Sequence, residues 1–243
     1  MSATPPPPTL VLLPGLDGTG KLFAPWVREL GSELDARIIA YPVDQPLGYA
    51  ELEALVRARL PSDRHFVLLG ESFSGPIAIR IAAEPPPRMV GLILCATFAK
   101  NPYPMLAWAR PLAAWFPLKS LPRWLRAPLM WGSLQPQRAP SQLSRAMAAV
   151  SGAVVRHRIA ALLTVDASAA LGRVRLPILL LQAGHDRVVP RSATQWIMGI
   201  AHQTQLIEID GPHLLLQTRP AECAAAVLTF VRAVSSEWPA AGA

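Results

Sequence analysis

The segment that decides the fold is Leu68-Leu69-Gly70-Glu71-Ser72-Phe73-Ser74-Gly75, which joins a strand-like apolar run to a predicted helix. Ser72 stands at the junction, with small residues two before, two after and three after it. This is a near match to G-x-S-x-G, a sharp turn that raises the serine hydroxyl above the edge of a sheet and leaves room only for small neighbours. Ser74 replaces the second glycine, and we expect a tolerated variant because serine is small and Gly75 follows. Taken alone, the motif is equally compatible with a solvated turn.

Apolar runs and helix-like segments alternate on both sides of this turn. Runs of the kind that form buried strands lie at 10–13, 36–41, 65–69, 90–96, 178–182 and 205–209. Helix-like segments lie at 21–31, 49–60, 75–84, 191–201 and 221–234. The alternation predicts an α/β fold, with a mainly parallel sheet of about six strands covered by helices on both faces.

The alternation stops between residues 98 and 174, where no strand-like run appears. This part carries four tryptophans and several prolines, and a helical pattern extends over 140–163. We expect a helical insertion at 99–174 within a core formed by 9–98 and 175–243. A Pro-rich tail at 1–8, expected to be extended and flexible, precedes the core.

Composition limits the class of protein. With 243 residues, 51% of them apolar and 16% charged, the chain can form a substantial core, which excludes a disordered protein. Cys95 and Cys223 lie far apart in apolar runs, so neither a disulfide framework nor a thiolate metal site is expected. No apolar run reaches the roughly 18 residues that a membrane span requires, and the first residues lack a signal-peptide pattern. We therefore expect a cytoplasmic protein without a transmembrane segment.

Two more polar residues follow the carboxyl ends of predicted strands. Asp186 comes after the strand at 178–182, and His213 lies in the loop after the strand at 205–209. A serine hydroxyl needs an imidazole to take its proton, and the imidazole needs a carboxylate to hold its tautomer and balance its transient charge. The sequence therefore predicts Ser72, His213 and Asp186 as catalytic, with Asp210 as the rival for the acid.

An oxyanion hole requires two backbone amides beside the nucleophile. Phe73 supplies one, and the turn Pro14-Gly15-Leu16-Asp17-Gly18-Thr19-Gly20 after the first strand can bring the Leu16 amide to the same place. Phosphate binding is the competing interpretation, but this turn lacks the Gly-Lys-Ser/Thr ending of a P-loop and the spacing of G-x-G-x-x-G. We expect Asp17 to stabilise the turn and Glu71 to orient the loop beside the nucleophile.

Together these motifs resemble the α/β-hydrolase superfamily, over residues 10 to about 234. They are Leu-Pro-Gly-Leu-Asp-Gly-Thr-Gly at 13–20, Gly-Glu-Ser-Phe-Ser-Gly at 70–75, Gly-His-Asp-Arg-Val-Val-Pro at 184–190 and Gly-Pro-His at 211–213. Two features depart from many members: Pro14 stands where they carry His, and a first strand at residue 9 leaves no room for their N-terminal β-hairpin. The insertion at 99–174 is similar to the cap of esterases and thioesterases in this superfamily. The resemblance implies that some cap residues line an acyl site, and Trp108, Trp131 and Met105 are the candidates.

These features predict a serine hydrolase of the carboxylesterase type, acting on esters or thioesters of apolar acyl groups without a metal or organic cofactor. Residues 100–175 hold 11 of the 23 Lys and Arg residues but only one acid, Asp166, and the net charge is +7. Such a positive field steers anionic partners, so an acyl group on an acidic carrier is a candidate substrate. Nucleic-acid binding is disfavoured, because no binding motif is present and the rest of the chain is net acidic. An acyltransferase and a non-enzymatic ligand receptor on the same fold remain alternatives.

Overall fold

A six-stranded parallel sheet lies at the centre of the computed structural model, which describes residues 8–109 and 139–236. The strand order is β2-β1-β3-β4-β5-β6, and every neighbouring pair is parallel. The strands are β1 (Thr9–Leu13), β2 (Ala36–Ile38), β3 (Phe66–Glu71), β4 (Met89–Cys95), β5 (Ile178–Ala183) and β6 (Thr204–Ile209). This confirms the predicted α/β architecture.

Helices follow the strands and also make up much of the described part of the segment at 99–174, which is predicted to be an insertion. In chain order they are α1 (Ala24–Leu30), α2 (Tyr49–Arg57), α3 (Gly75–Ala83), α4 (Ala139–Ala148), α5 (Gly152–Leu162), α6 (Ser168–Leu171), α7 (Arg191–Ile200), α8 (Leu215–Thr218) and α9 (Pro220–Ser236). Short 3₁₀ turns lie at Lys21–Phe23, Ser72–Ser74 and Pro104–Ala109. In the described ranges, no helix is both long enough and apolar enough to cross a membrane.

The central strands are buried on both faces. Successive side chains of a strand point to opposite faces of the sheet, so the two faces pack against different helices. In β1, Val11 and Leu13 pack into the core under α2, α3 and α7, while Leu10 and Leu12 pack into the core under α1 and α9. Each of the strands β1, β3, β4 and β5 therefore contributes to two separate apolar layers. A helix on each face removes these layers from water, which explains why the strands are continuous apolar runs.

Strand β2 ends earlier than the predicted run at 36–41. It is an edge strand with only β1 beside it, and its residues are partly exposed. Beyond it, the Tyr41 amide donates to the Gly18 carbonyl at 2.8 Å rather than continuing the ladder. The chain thus leaves the sheet to contact the loop that follows β1.

The predicted helical pattern at 140–163 forms two helices rather than one. Ser151 separates α4 from α5, and its hydroxyl caps α5 by accepting from the Val154 amide at 3.2 Å. The Ser151 amide in turn donates to the Val43 carbonyl at 2.7 Å. This break docks the start of α5 on the loop that follows β2.

Two glycines allow α3 to lie close to the sheet just after the turn at Ser72. A Cβ on Gly70 would stand 2.8 Å from Ala78 Cβ and 2.9 Å from the Ser74 carbonyl oxygen. A Cβ on Gly75 would stand 2.0 Å from Thr97 Oγ1, in the buried segment after β4. Small residues at these positions are therefore a packing requirement of the turn.

Gly75→Ala should destabilise the protein, because its methyl group would overlap Thr97. Overpacking of this kind costs about 1–3 kcal/mol. Gly199→Ala is a matched control: a Cβ there meets nothing within 4 Å, and replacing a helical glycine stabilises by about 0.5–1 kcal/mol. Urea unfolding of both variants and the wild type measures the difference. Equal free energies of unfolding for Gly75→Ala and the wild type would contradict this packing argument.

Candidate active site

Ser72 has an uncommon backbone conformation at the carboxyl end of β3, with φ of 50°. A non-glycine residue in this region costs free energy and persists only where the surroundings hold it. The Ser72 carbonyl accepts hydrogen bonds from the Gly75 amide and from the Thr97 hydroxyl. Strain of this kind is concentrated at functional sites, where it aims a side chain.

The structure brings Ser72, His213 and Asp186 into one hydrogen-bonded chain. Ser72 Oγ lies 2.9 Å from His213 Nε2, and His213 Nδ1 lies 2.8 Å from Asp186 Oδ2. The His213 and Asp186 side chains are only 2% and 7% exposed. Because Asp186 accepts a hydrogen bond from Nδ1–H, Nε2 is the nitrogen without a proton and can accept that of the Ser72 hydroxyl.

Asp186 is itself held in place by the loop that follows β5. Its other oxygen, Oδ1, accepts from the amides of Val188 and Val189, both at 2.8 Å. Asp210, the rival predicted from the sequence, lies 2.8 Å from His185 Nε2 and is largely exposed. The structure therefore places Asp186, and not Asp210, against His213.

The loop predicted to supply an oxyanion donor packs beside the nucleophile. A Cβ built on Gly15 would stand 3.7 Å from Ser72 Cβ. The Gly15 carbonyl accepts from the Gly18 amide at 3.0 Å, which closes a turn around Leu16 and Asp17. Asp17 accepts from the Thr19 amide at 2.9 Å and so stabilises the turn, as expected.

Phe73 is fixed on the other side of Ser72. Its ring is buried and stacks on Tyr49, with 4.7 Å between ring centroids. The Tyr49 hydroxyl donates to the Phe73 carbonyl oxygen at 3.1 Å. The backbone groups of Phe73 and of the Leu16 turn thus flank Ser72 on two rigid supports.

Ser74, the departure from the glycine pattern, has a contact that glycine cannot make. Its hydroxyl is buried and donates to the Pro14 carbonyl, at the start of the Leu16 turn. The Tyr41 hydroxyl lies 2.6 Å from Ser74 Oγ and is its second hydrogen-bond partner. The serine therefore ties the nucleophile turn to the loop after β1.

Glu71 is a buried carboxyl group directly before the nucleophile. Gln217 Nε2 donates to its Oε1 at 3.0 Å, and the Gly15 amide contributes a further hydrogen bond. Burial nevertheless raises the pKa of Glu71 to about 7, since removal from water disfavours the ionised form. This side chain contacts the start of the Leu16 turn and is not part of the Ser72–His213–Asp186 chain.

Two of the three predicted substrate contacts lie among the described residues. Met105 and Trp108 lie on the turn Pro104–Ala109 and are 84% and 70% exposed, so neither is enclosed by the described part of the chain. Trp131 lies outside the described residues. Among residues 8–109 and 139–236, no three His, Cys, Asp or Glu side chains converge as metal ligands would.

The sequence patterns did not indicate that Arg158 belongs to this site. It is fully buried on α5 and donates to the carbonyls of Leu16, Asp17 and Pro42. Its position carried one signal: it follows Val154 and Val155 at helical spacing, on the face that these buried residues mark. An arginine on an apolar helix face needs acceptors, but the sequence does not say which ones.

Glu71→Gln should remove a loss of stability that the wild type shows as the pH rises. Above the ordinary pKa of 4.5 the unfolded carboxyl ionises, whereas the folded one keeps its proton up to about pH 7. The wild type therefore loses stability as the pH rises from 4.5 to 7, by an amount on the order of 3 kcal/mol. Urea unfolding at pH 5 and pH 8 should show that the stability of Glu71→Gln relative to the wild type increases with pH.

The exposed Glu29 provides the control for this measurement. Glu29→Gln should leave the difference between pH 5 and pH 8 unchanged. A constant difference between Glu71→Gln and the wild type across this range would show that burial does not govern the ionisation of Glu71.

Comparisons with known proteins identify the family and the fold of the chain. The model of the alpha/beta hydrolase family matches residues 10–226. The chain is 28% identical to "Putative carbamate hydrolase RutD" of Variovorax paradoxus (strain S110), over 90% of this chain and 91% of that protein. It is also 28% identical to the protein of the same name from Rhizobium rhizogenes (strain K84), over 93% and 94%.

A solved structure shows the same fold at lower identity. The enol-lactonase from Burkholderia xenovorans LB400 superimposes with a TM-score of 0.80 and 16% identity, covering 95% of this chain and 94% of that one. The family model spans both the sheet and the loops that carry Ser72, Asp186 and His213. The chain therefore belongs to the alpha/beta hydrolase family.

Proposed function

We propose that this protein is a serine hydrolase that cleaves carboxylic esters or thioesters of apolar acyl groups. The observation that carries the proposal is the chain from Ser72 Oγ through His213 to Asp186, with contacts of 2.9 and 2.8 Å. These are the distances at which a base takes a proton from a nucleophile and an acid orients the base. The strained Ser72 backbone supports the same role.

The first half of the reaction forms an acyl-enzyme. Ser72 Oγ attacks the acyl carbonyl carbon while its proton passes to His213 Nε2. Asp186 holds the imidazole by Nδ1 and stabilises the imidazolium. His213 then donates this proton to the departing alcohol or thiol, and the carbon–oxygen or carbon–sulfur bond breaks.

The second half releases the acid. A water molecule gives a proton to His213 Nε2 and attacks the acyl carbonyl, and the bond to Ser72 breaks as its oxygen regains the proton. In both halves the carbonyl oxygen carries negative charge, and the amides of Leu16 and Phe73 are the donors that we assign to it. Each such donor contributes about 10²- to 10³-fold to the rate.

Charge and relatives point to two substrate classes. The basic residues between 100 and 175 favour an acyl group on an anionic carrier, such as an acyl-coenzyme A thioester. The names of the two relatives make a carbamate the second candidate. Both classes present a carbonyl carbon to the same nucleophile.

Ser72→Ala and the wild type, assayed on one panel of substrates, test the proposal. The panel contains p-nitrophenyl esters from acetate to palmitate, acyl-coenzyme A thioesters and an aryl carbamate. We expect hydrolysis by the wild type and its loss in Ser72→Ala, since the variant lacks the nucleophile. The preferred chain length reports the size of the acyl site.

Other outcomes of this assay separate the alternatives. Preference for the carbamate would replace the ester assignment. Product formation that requires an added alcohol or thiol would identify an acyltransferase. Tight binding with turnover slower than minutes, and unaffected by Ser72→Ala, would favour a receptor.

The two candidate acids give a matched pair of variants. Asp186→Asn should lower kcat by about 10⁴-fold, because an amide donates to Nδ1 and holds the imidazole in the wrong tautomer. Asp210→Asn should leave kcat nearly unchanged, since its carboxylate lies against His185. Steady-state kinetics on the best ester of the panel measures both. A larger loss in Asp210→Asn would reassign the acid.

A further inference from the structure

Arg158 is a completely buried arginine, and within residues 8–109 and 139–236 no carboxylate is its direct partner. Its exposed fraction is 0%, and among the described residues it takes part in no ion pair within 4.0 Å. A buried charge is unfavourable unless hydrogen bonds replace its hydration. The acceptors that replace it therefore indicate what the side chain stabilises.

Those acceptors are backbone carbonyls of two core loops. Nη1 donates to Leu16 O at 2.9 Å and to Asp17 O at 3.0 Å, while Nη2 donates to Pro42 O at 2.9 Å. Leu16 and Asp17 form the turn after β1, and Pro42 lies in the loop after β2. Arg158 thus reaches from the insertion into the loop that packs beside Ser72.

Two hydrogen bonds hold the peptide planes on either side of the Leu16 α-carbon, and Arg158 makes the second of them. The Gly15 carbonyl is bound by the Gly18 amide, and because the peptide is trans, the Leu16 N–H points away from that bond. The next plane is held through Leu16 O by Arg158. With both planes held, the Leu16 amide has one orientation.

The turn is also shaped around the guanidinium. Gly18 has φ of +71°, and a Cβ there would stand 2.4 Å from Arg158 Nη1. The Tyr41 ring lies 5.6 Å from the guanidinium carbon, and its hydroxyl pairs with Ser74. Ser74 in turn binds Pro14 O, so the nucleophile turn and the insertion hold opposite ends of one loop.

We propose that Arg158 is a positioning residue that orients the Leu16 amide as an oxyanion donor and thereby makes the oxyanion hole depend on docking of α5. The inference rests on the proposed function. Arg158 is assigned no contact with the substrate, because its side chain is 0% exposed and the hydrogen bonds that it makes go to backbone carbonyls. It acts only through the loop of residues 14–17.

Three variants test this role. Arg158→Met removes all three donor contacts while keeping much of the apolar stem. Arg158→Lys keeps the charge but lacks the planar fork, so it satisfies fewer of the carbonyls. Arg156→Met, two residues earlier on α5, is the control for a change of charge on the same helix.

Two measurements are made on each variant. The first is steady-state hydrolysis of the neutral ester preferred by the wild type, corrected for the active sites counted by the p-nitrophenol burst. The second is amide hydrogen exchange of a peptide covering residues 14–20, with a β3 peptide as internal reference. The exchange measurement does not require turnover.

We expect Arg158→Met to lower kcat by about 10²- to 10³-fold with KM nearly unchanged, as for the loss of one oxyanion donor. Arg158→Lys should lie between it and the wild type, and Arg156→Met should match the wild type. Exchange at 14–20 should increase in the same order, while exchange in β3 stays constant. If Arg158→Met fails to fold, Arg158→Lys carries both measurements.

Several results would overturn the proposal. One is a kcat per active site in Arg158→Lys and Arg158→Met that equals that of the wild type. Another is unchanged exchange at 14–20, which excludes positioning whether or not the protein turns over. Absence of Ser72-dependent turnover in the wild type would refute the proposed function, and the exchange data would still decide whether Arg158 holds the loop.

Discussion

The backbone of Ser72, with φ of 50°, is energetically unfavourable, and contacts from the surrounding elements hold it in this conformation. The Gly75 amide and the Thr97 hydroxyl bind its carbonyl, and Thr97 follows Ala96, which itself has φ of 45°. The close approach of α3 to the sheet leaves no space for a side chain at position 75. These contacts come from β3, β4 and α3, so the turn depends on the assembled parallel sheet and cannot be maintained by its own segment.

Glu71 and Arg158 are buried beside the loop after β1 and reach it from different parts of the chain. Glu71 lies at the end of β3 and hydrogen-bonds Gln217, while Arg158 comes from α5 and binds backbone carbonyls. Neither is paired with the other. Hydrogen bonds are directional, whereas apolar contacts are not. A loop that must present an amide in one orientation is therefore better held by buried polar groups than by apolar packing alone.

Membership in the alpha/beta hydrolase family defines the scaffold, but this fold hosts many reactions. The reaction therefore has to be inferred from the residues of the site. At this site an imidazole lies between a serine and a carboxylate, both of its nitrogens are engaged, and two backbone amides fix the carboxylate. We expect substrate choice to depend on the segment at 100–175, which is basic and carries four tryptophans.

The sequence by itself determined the parallel sheet, its covering helices and the positions of Ser72, Asp186 and His213 at strand ends, because apolar runs and small-residue turns are local signals. It favoured Asp186 over Asp210 as the acid but could not place either against His213, and it treated Ser74 only as a departure from a pattern. Only the tertiary structure decided these points and revealed Arg158, because they depend on which loops from distant strands meet. No spacing along the chain encodes that a guanidinium 142 residues from Leu16 will bind its carbonyl.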